Sequence, residues 1–175
     1  SDRGVPSPDA YEDAVRGGDR YHPRTSLLCL ENTHNLHGGT VVPLGRMQAI
    51  RGVADRHDLP VHLDGARLWN AHVATGHDLS ELAAPADTVM VTLSKGLGCP
   101  VGSLLAGPRE TVRRAWRVRK RLGGGMRQVG LLAGAGLYAL EFHLEELEED
   151  HRRAGRLARE VDALDGLAAD DPETN

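Results

Sequence analysis

Aromatic side chains are scarce in this 175-residue chain: phenylalanine, tyrosine and tryptophan together make up 3% of it. Cysteine is limited to Cys29 and Cys99, in neither a metal-binding nor a redox spacing. A disulfide framework is therefore not expected, and a reducing, cytoplasmic compartment is. Neither sign of charge dominates. Lysine and arginine number 21 against 25 acidic residues, a net charge of −4, so no global charge points to nucleic acid or a membrane surface. No basic flank followed by an apolar run opens the chain, so no signal peptide is expected. The longest uncharged apolar run, Gln128 to Leu140, is too short to span a bilayer. Glycine, by contrast, is plentiful, with 21 residues, and 40% of the chain is hydrophobic. That balance suits an α/β protein of one domain with Val/Leu-rich strands and Ala/Leu-rich helices.

Punctuation and periodicity divide the chain. Residues 1–25 are polar and broken by Pro6, Pro8, Pro23 and Gly17-Gly18, with a short helix expected from Asp9 to Val15. Ser26 to Leu30 reads as a buried strand. It runs into the polar loop Glu31-Asn32-Thr33-His34-Asn35-Leu36-His37-Gly38-Gly39. Pro43 to Asp58 reads as a helix, with Leu44, Met47, Ile50, Val53 and Ala54 at helical spacing. Pro60 starts a strand, and alternation places His62 and Asp64 on one face of it. Gly65-Ala66-Arg67 opens a helix to about Thr75, and a short capped turn or helix follows at Asp78–Glu81. Thr88 to Leu93 is a β-branched strand. Val101 to Ala106 follows too closely for a helical crossover, so that pair is expected to be antiparallel. Helices are then expected at Pro108–Arg121, at Met126–Leu147 as a long small-residue-rich stretch, either straight or kinked, and at His151–Leu164. Residues 1–165 read as one domain and 166–175 as a frayed tail or the start of another. The strand–helix alternation argues a largely parallel sheet.

Three strand ends carry the chemistry. In a parallel sheet the Glu31–Asn35 loop, Asp64 and Lys95 meet at one edge, where open α/β sheets bind ligands. Lysine is a hydrated point charge, rare at a buried strand end. It reads either as a surface residue or as an amine that forms a Schiff base with an aldehyde such as pyridoxal phosphate. An ionised Asp64 needs a partner, either Arg67 one turn later or a ligand's protonated nitrogen. A nearby carboxylate keeps a pyridine nitrogen charged, so that the ring can accept electrons.

Glu31-Asn32-Thr33-His34-Asn35, His62-Leu63-Asp64-Gly65-Ala66-Arg67, Leu93-Ser94-Lys95-Gly96-Leu97-Gly98 and Gly123-Gly124-Gly125-Met126-Arg127-Gln128 together resemble the low-specificity L-threonine aldolases. These are fold type I, aspartate-aminotransferase-like pyridoxal phosphate enzymes. The resemblance covers roughly residues 25 to 160 and keeps the order of all four motifs. It implies a three-layer α/β/α cofactor domain with a mostly parallel sheet, here incomplete. It implies that Lys95 carries the cofactor as a Schiff base, Asp64 pairs with the pyridine nitrogen and Arg67 lies against the cofactor. His34 lies near the substrate's β-hydroxyl, Arg127 binds phosphate across a subunit contact, and Ser94 also reaches phosphate. The implied reaction cleaves the Cα–Cβ bond of threonine or allo-threonine to give glycine and acetaldehyde. The implied assembly is a homodimer or homotetramer. Family members are longer. Their phosphate loop, ring-stacking histidine and carboxylate-binding arginine lie in segments outside this chain. Other pyridoxal phosphate chemistry, β-elimination or transamination, or an inactive fragment, are the alternatives.

The remaining features have plainer readings. His34 and His37 have a His-x-x-His spacing without a third matched metal ligand. His57 and His77 read as solvated helix-end residues, and His62 as a core or a catalytic histidine. The basic helix 109–121 reads as a solvated face or a subunit contact rather than a nucleic-acid site, because only Trp116 accompanies it for base stacking. Gly123–Gly125 is a linker or an amide-rich anion turn. Cys29 and Cys99 read as inert packing residues.

Overall fold

The structure, a computed structural model, describes residues 2–174. A single four-stranded sheet runs β1 (Leu28–Glu31), β2 (Val61–Gly65), β3 (Thr88–Thr92) and β4 (Ser103–Ala106), hydrogen-bonded in that order. The first three strands are parallel and β4 is antiparallel to β3, as its short link requires. The helices are α1 (Pro8–Ala14), α2 (Leu44–Arg56), α3 (Leu68–Thr75), α4 (Leu79–Ala83), α5 (Arg109–Arg121), α6 (Gly130–Phe142) and α7 (Leu147–Asp162).

Alternation along the strands gives the sheet two unlike faces. Leu28, Leu30, Val61, Leu63 and Val89 are buried on one of them. They pack with Met47, Ile50, Val53 and Ala54 of α2, Leu68 and Ala71 of α3 and Leu82 of α4. Three of those α2 residues recur at one-turn spacing, which turns a single helical face onto the sheet. On the other face, Cys29 pairs in register with His62 and His62 with Thr88, while Glu31 pairs with Asp64 and Asp64 with Met90. All six are exposed or half-buried. The chain thus builds a sheet and one helical layer, two of the three layers that the sequence implies. Tyr11 of α1 donates its hydroxyl to the Cys29 carbonyl at 2.6 Å, capping the outer edge of β1. Burial raises the pKa of that hydroxyl.

A second core joins Trp69, Leu93, Leu97, Cys99, Ala139 and Leu147. It lies beside the turn after β3 and sharpens the helical stretch expected from Met126 to Leu147, which is helical only from Gly130 to Phe142 and then breaks rather than kinks. The chain leaves the helix at Phe142 and re-enters it at Leu147, within the acidic run. Leu147 is buried in the second core, so the chain must turn there. Glu148, Glu149 and Asp150 then fall in the first turn of α7, where the helix dipole favours carboxylates. Ser26 and Leu27 precede β1 rather than belong to it. Cys29 is exposed rather than packed, whereas Cys99 is buried. His57 is held by Glu12 at 2.5 Å and His62 by the Thr88 hydroxyl at 2.8 Å. Beyond Asp162 no further helix or strand forms among the described residues. The end of that segment is nevertheless docked. Glu173 accepts the Val41 N–H at 2.9 Å, and buried Thr174 donates to the Gly39 carbonyl at 2.7 Å.

Asp87 ties the other end of the sheet. Its Oδ2 accepts the Val61 N–H at 2.7 Å and an Arg51 N–H at 2.6 Å. Burial opposes its charge, but these donors outweigh burial and hold the carboxyl below its ordinary value. The charged form is thus favoured by folding, and the contribution is present at neutral pH. It is lost as pH falls below the ordinary aspartate value of about 3.9. Replacing Asp87 with Ala is expected to cost about 1–2 kcal/mol at neutral pH, read by urea unfolding, with a smaller difference from the parent chain near pH 3. An unchanged unfolding midpoint at pH 7 would contradict the assignment.

Candidate active site

The parallel register brings Glu31 and Asp64, the carboxylates at the ends of β1 and β2, side by side. One residue beyond Glu31, the Asn32 N–H donates to the Asp64 carbonyl at 2.9 Å. Asn32 is fully buried. Its side chain accepts the Val42 N–H at 3.2 Å and donates to the Val42 carbonyl at 3.1 Å. An amide side chain here takes the place of a strand partner. It closes the loop that carries Thr33, His34 and His37 and satisfies backbone groups that burial would otherwise strand. Within the loop, the His34 N–H donates to the Thr40 carbonyl at 2.8 Å and the Gly39 N–H to the His34 carbonyl at 3.1 Å. Gly38 and Gly39 have φ of 67° and 73°, the left-handed region that glycine enters without steric cost.

A cavity of about 410 Å³ opens over these strand ends, on the face that no helix layer covers. Glu31, His34 and Asp64 line it, with Cys29 and Leu30 beneath and Gly4, Pro6 and Tyr11 at the side. Glu31 is oriented by the Asn35 N–H, which its Oε1 accepts at 3.0 Å. Asp64 uses only Oδ1, accepting the Ala66 N–H at 3.0 Å. Of the two partners that the sequence offers Asp64, Arg67 is not bonded to it among the described residues. Arg67 stands half-buried at the N-cap position of α3. His34 Nδ1 and Thr33 Oγ1 are buried and unpartnered. Leaving such atoms unpaired costs about 1–3 kcal/mol each, which a polar ligand relieves. The free Asp64 carboxylate oxygen and the His34 side chain belong to one cavity lining, and the carboxylate suits the protonated ring nitrogen of the group that the motifs imply.

Ser94 and Lys95 follow β3, the next strand of the sheet, and both are exposed. Neither lines the cavity. Lys95 is one of two lysines in the chain, the other being Lys120. Its turn is held from below. The Gly98 N–H donates to the Lys95 carbonyl at 2.8 Å, and His143 Nδ1 lies 2.9 Å from the Leu97 carbonyl, which makes Nδ1 the protonated nitrogen. Gly96 lies against the second core: a Cβ there would come within 2.6 Å of Leu147. Asn70 Nδ2 meets His151 Nε2 at 3.0 Å, and burial lowers the pKa of His151, so the neutral ring accepts that bond. Arg127 stands apart, exposed in the segment between α5 and α6, and no described contact joins it to His34, Asp64 or Lys95. Sequence reasoning missed Asn32, Asn70, His143 and His151 as supports. Only Asn32 had a local signal: an amide directly after a buried strand.

Replacing Asn32 with Ala would strand both backbone groups of Val42 in the core. The expected cost is about 2–4 kcal/mol, read by urea unfolding, with loss of hydrogen-exchange protection at the Val42 amide. A variant as stable as its parent would remove Asn32 from its bracing role.

The whole chain, residues 1–175, matches the beta-eliminating lyase family. Low-specificity L-threonine aldolase 1 of Arabidopsis thaliana is 44% identical over 161 residues, covering 91% of this chain and 45% of the relative. Threonine aldolase of Leishmania major superposes with a TM-score of 0.76 at 21% identity, over 91% of this chain and 47% of that one. A double mutant of Thermus thermophilus aspartate aminotransferase gives 0.74 at 21% identity, over 99% and 45%. At 21% identity these two likenesses speak to the fold alone, and they give the aspartate-aminotransferase-like, fold type I architecture. The chain spans about half the length of the curated relatives it matches. With its four motifs in order on that fold, the chain belongs to the beta-eliminating lyase family.

Proposed function

We propose that this chain forms the cofactor-binding half of a pyridoxal phosphate-dependent carbon–carbon lyase. Its substrates are β-hydroxy-α-amino acids, L-threonine and L-allo-threonine, and its products are glycine and acetaldehyde. The observation that carries the reading is one cavity lined by both His34 and Asp64, with a buried imidazole nitrogen and a carboxylate oxygen each lacking a protein partner. Relatives named low-specificity L-threonine aldolase support the choice of substrate.

Pyridoxal phosphate, when bound, supplies an electron sink for the pair released at the substrate Cα. Everything else falls to the chain. Lys95 would hold the cofactor through its amine, and Asp64 would keep the ring nitrogen protonated through its free oxygen. Arg67 would lie against the cofactor, and Arg127 and Ser94 would hold its phosphate. His34 would take the proton of the substrate's β-hydroxyl. As that O–H bond breaks, its electrons form the carbonyl of acetaldehyde and the Cα–Cβ bond is released. A proton returned to Cα completes glycine. Holding the breaking bond in one orientation selects it over the other bonds at Cα. The same reading makes the functional protein a homo-oligomer in a reducing, cytoplasmic compartment, with both cysteines free. Among the described residues no helix is long and apolar enough to cross a membrane.

Titrating the chain with pyridoxal phosphate is expected to produce a visible absorption band that borohydride abolishes and that Lys95→Ala lacks. Asp64→Ala is expected to shift the band by leaving the ring nitrogen uncharged. Product analysis on the longer protein then separates chemistries: acetaldehyde with glycine supports cleavage, whereas ammonia with a keto acid would overturn it in favour of elimination. No band in the parent chain would refute cofactor binding by this half alone.

A further inference from the structure

Asn32 closes the His34 loop from within the core. The loop's outer limb, Gly39 to Val41, meets a segment from far along the chain. Glu173 Oε2 accepts the Val41 N–H at 2.9 Å, 132 residues away in sequence. The Thr174 hydroxyl donates to the Gly39 carbonyl at 2.7 Å, and Thr174 is fully buried there. Between these two anchor points stands Thr40. Its carbonyl accepts the His34 N–H, and its hydroxyl donates to the His37 carbonyl at 2.7 Å. Residues 173 and 174 therefore grip the chain on either side of the one residue that both histidines are bonded to.

The same segment holds the turn Asp2–Gly4 against the histidine rings. The Arg3 guanidinium pairs with Glu173 Oε1 at 3.3 Å and donates to the Asp171 carbonyl at 3.0 Å. Glu173 is thus shared, one oxygen on the loop and the other on Arg3. Gly4 is buried on the rings: a Cβ there would overlap His37 and come within 3.1 Å of His34 Cδ2. The two rings meet edge to face with centroids 4.8 Å apart. Gly4 also lines the cavity. The segment is itself anchored to α7. The Ala169 N–H reaches Asp162 Oδ1 at 3.4 Å, and Leu147, the first residue of α7, is buried against Gly96 of the Lys95 turn.

We infer that residues 171–174 are a strap that positions His34. Residues 35–38 are exposed, so little packing holds the tip of the loop. The bonds at its base decide where the imidazole stands, and the strap supplies two of them from outside. Arg3, Glu173 and Thr174 do not line the cavity; they act on it through Thr40 and Gly4. The importance of the strap for the reaction rests on the role proposed above for His34. Its hold on the loop is read without cofactor or substrate, so failure of the cofactor titration and failure of the strap are separate results.

Amide hydrogen exchange and NMR of the chain without cofactor test it. Glu173→Ala with Thr174→Val is expected to lower protection of the Val41 and His34 amides about fivefold or more. The cross-peak between the His34 and His37 rings is expected to weaken with it. Two amides serve as controls: Val42, held by Asn32, and Val61, held by Asp87. Both are expected to keep the parent's protection. Glu173→Gln with Thr174→Ser keeps an acceptor for Val41 and a hydroxyl for Gly39, and is expected to restore the parent's values at His34. An unchanged His34 amide and ring contact in the first variant would overturn the proposal. So would an equal loss of protection at Val42 and Val61, which would make the segment a general support of the fold.

Discussion

The parallel pairing of β1, β2 and β3 is the constraint on which the rest of the site depends. Parallel strands deliver their carboxyl ends to one edge, and the register decides which residues stand side by side there. With Glu31 opposite Asp64, two carboxylates and the His34 loop share one cavity. A slip of one residue would turn Asp64 toward α2 and bring Leu63 to the cavity. The register is pinned at both ends. Asp87 holds Val61 at the start of β2, and Asn32 bonds the Asp64 carbonyl at its finish while its side chain closes the loop on Val42. The same short hydrogen bonds thus serve strand pairing and site geometry together.

The site was legible in the sequence where it depends on local pattern. Alternation placed His62 and Asp64 on one face, the β-branched run fixed the strand before Lys95, and the short link after it required β4 to turn back. Helical spacing identified α2 through Met47, Ile50 and Val53. What stayed hidden depends on distant partners. The break at His143–Glu146 follows from Leu147 reaching a core formed by Trp69, Leu93 and Leu97, which helical periodicity does not register. Nor does any local pattern show that His143 would brace the Leu97 carbonyl, 46 residues away in sequence. Of the two partners left open for Asp64, Arg67 makes no bond to it among the described residues; Asp64 Oδ1 instead accepts the Ala66 N–H, two residues away.

The open surfaces divide by chemistry. The uncovered sheet face carries Glu31, His62 and Asp64, groups suited to a polar ligand and to the covering layer that longer relatives have room to supply. The stretch from Val101 to Phe142 carries many exposed large hydrophobic side chains together with the basic helix α5, and the acidic residues 145–150 follow it. A chain of this composition, with net charge −4, hides both poles in its average. Among the described residues, Arg113 is the one cation of α5 with an ion-pair partner, Glu110.

The central claim is that Lys95, at the end of β3, is the amine that holds the cofactor. Because Lys95 and Lys120 are the only lysines, peptide mass spectrometry after borohydride reduction of the pyridoxal phosphate-treated chain gives a direct answer. The account predicts the pyridoxyl group on the peptide containing Lys95, at one equivalent, with Lys120 unmodified. Equal labelling of the two lysines, or labelling of Lys120 or the N-terminal amine alone, would mark Lys95 as an ordinary surface residue and contradict the account.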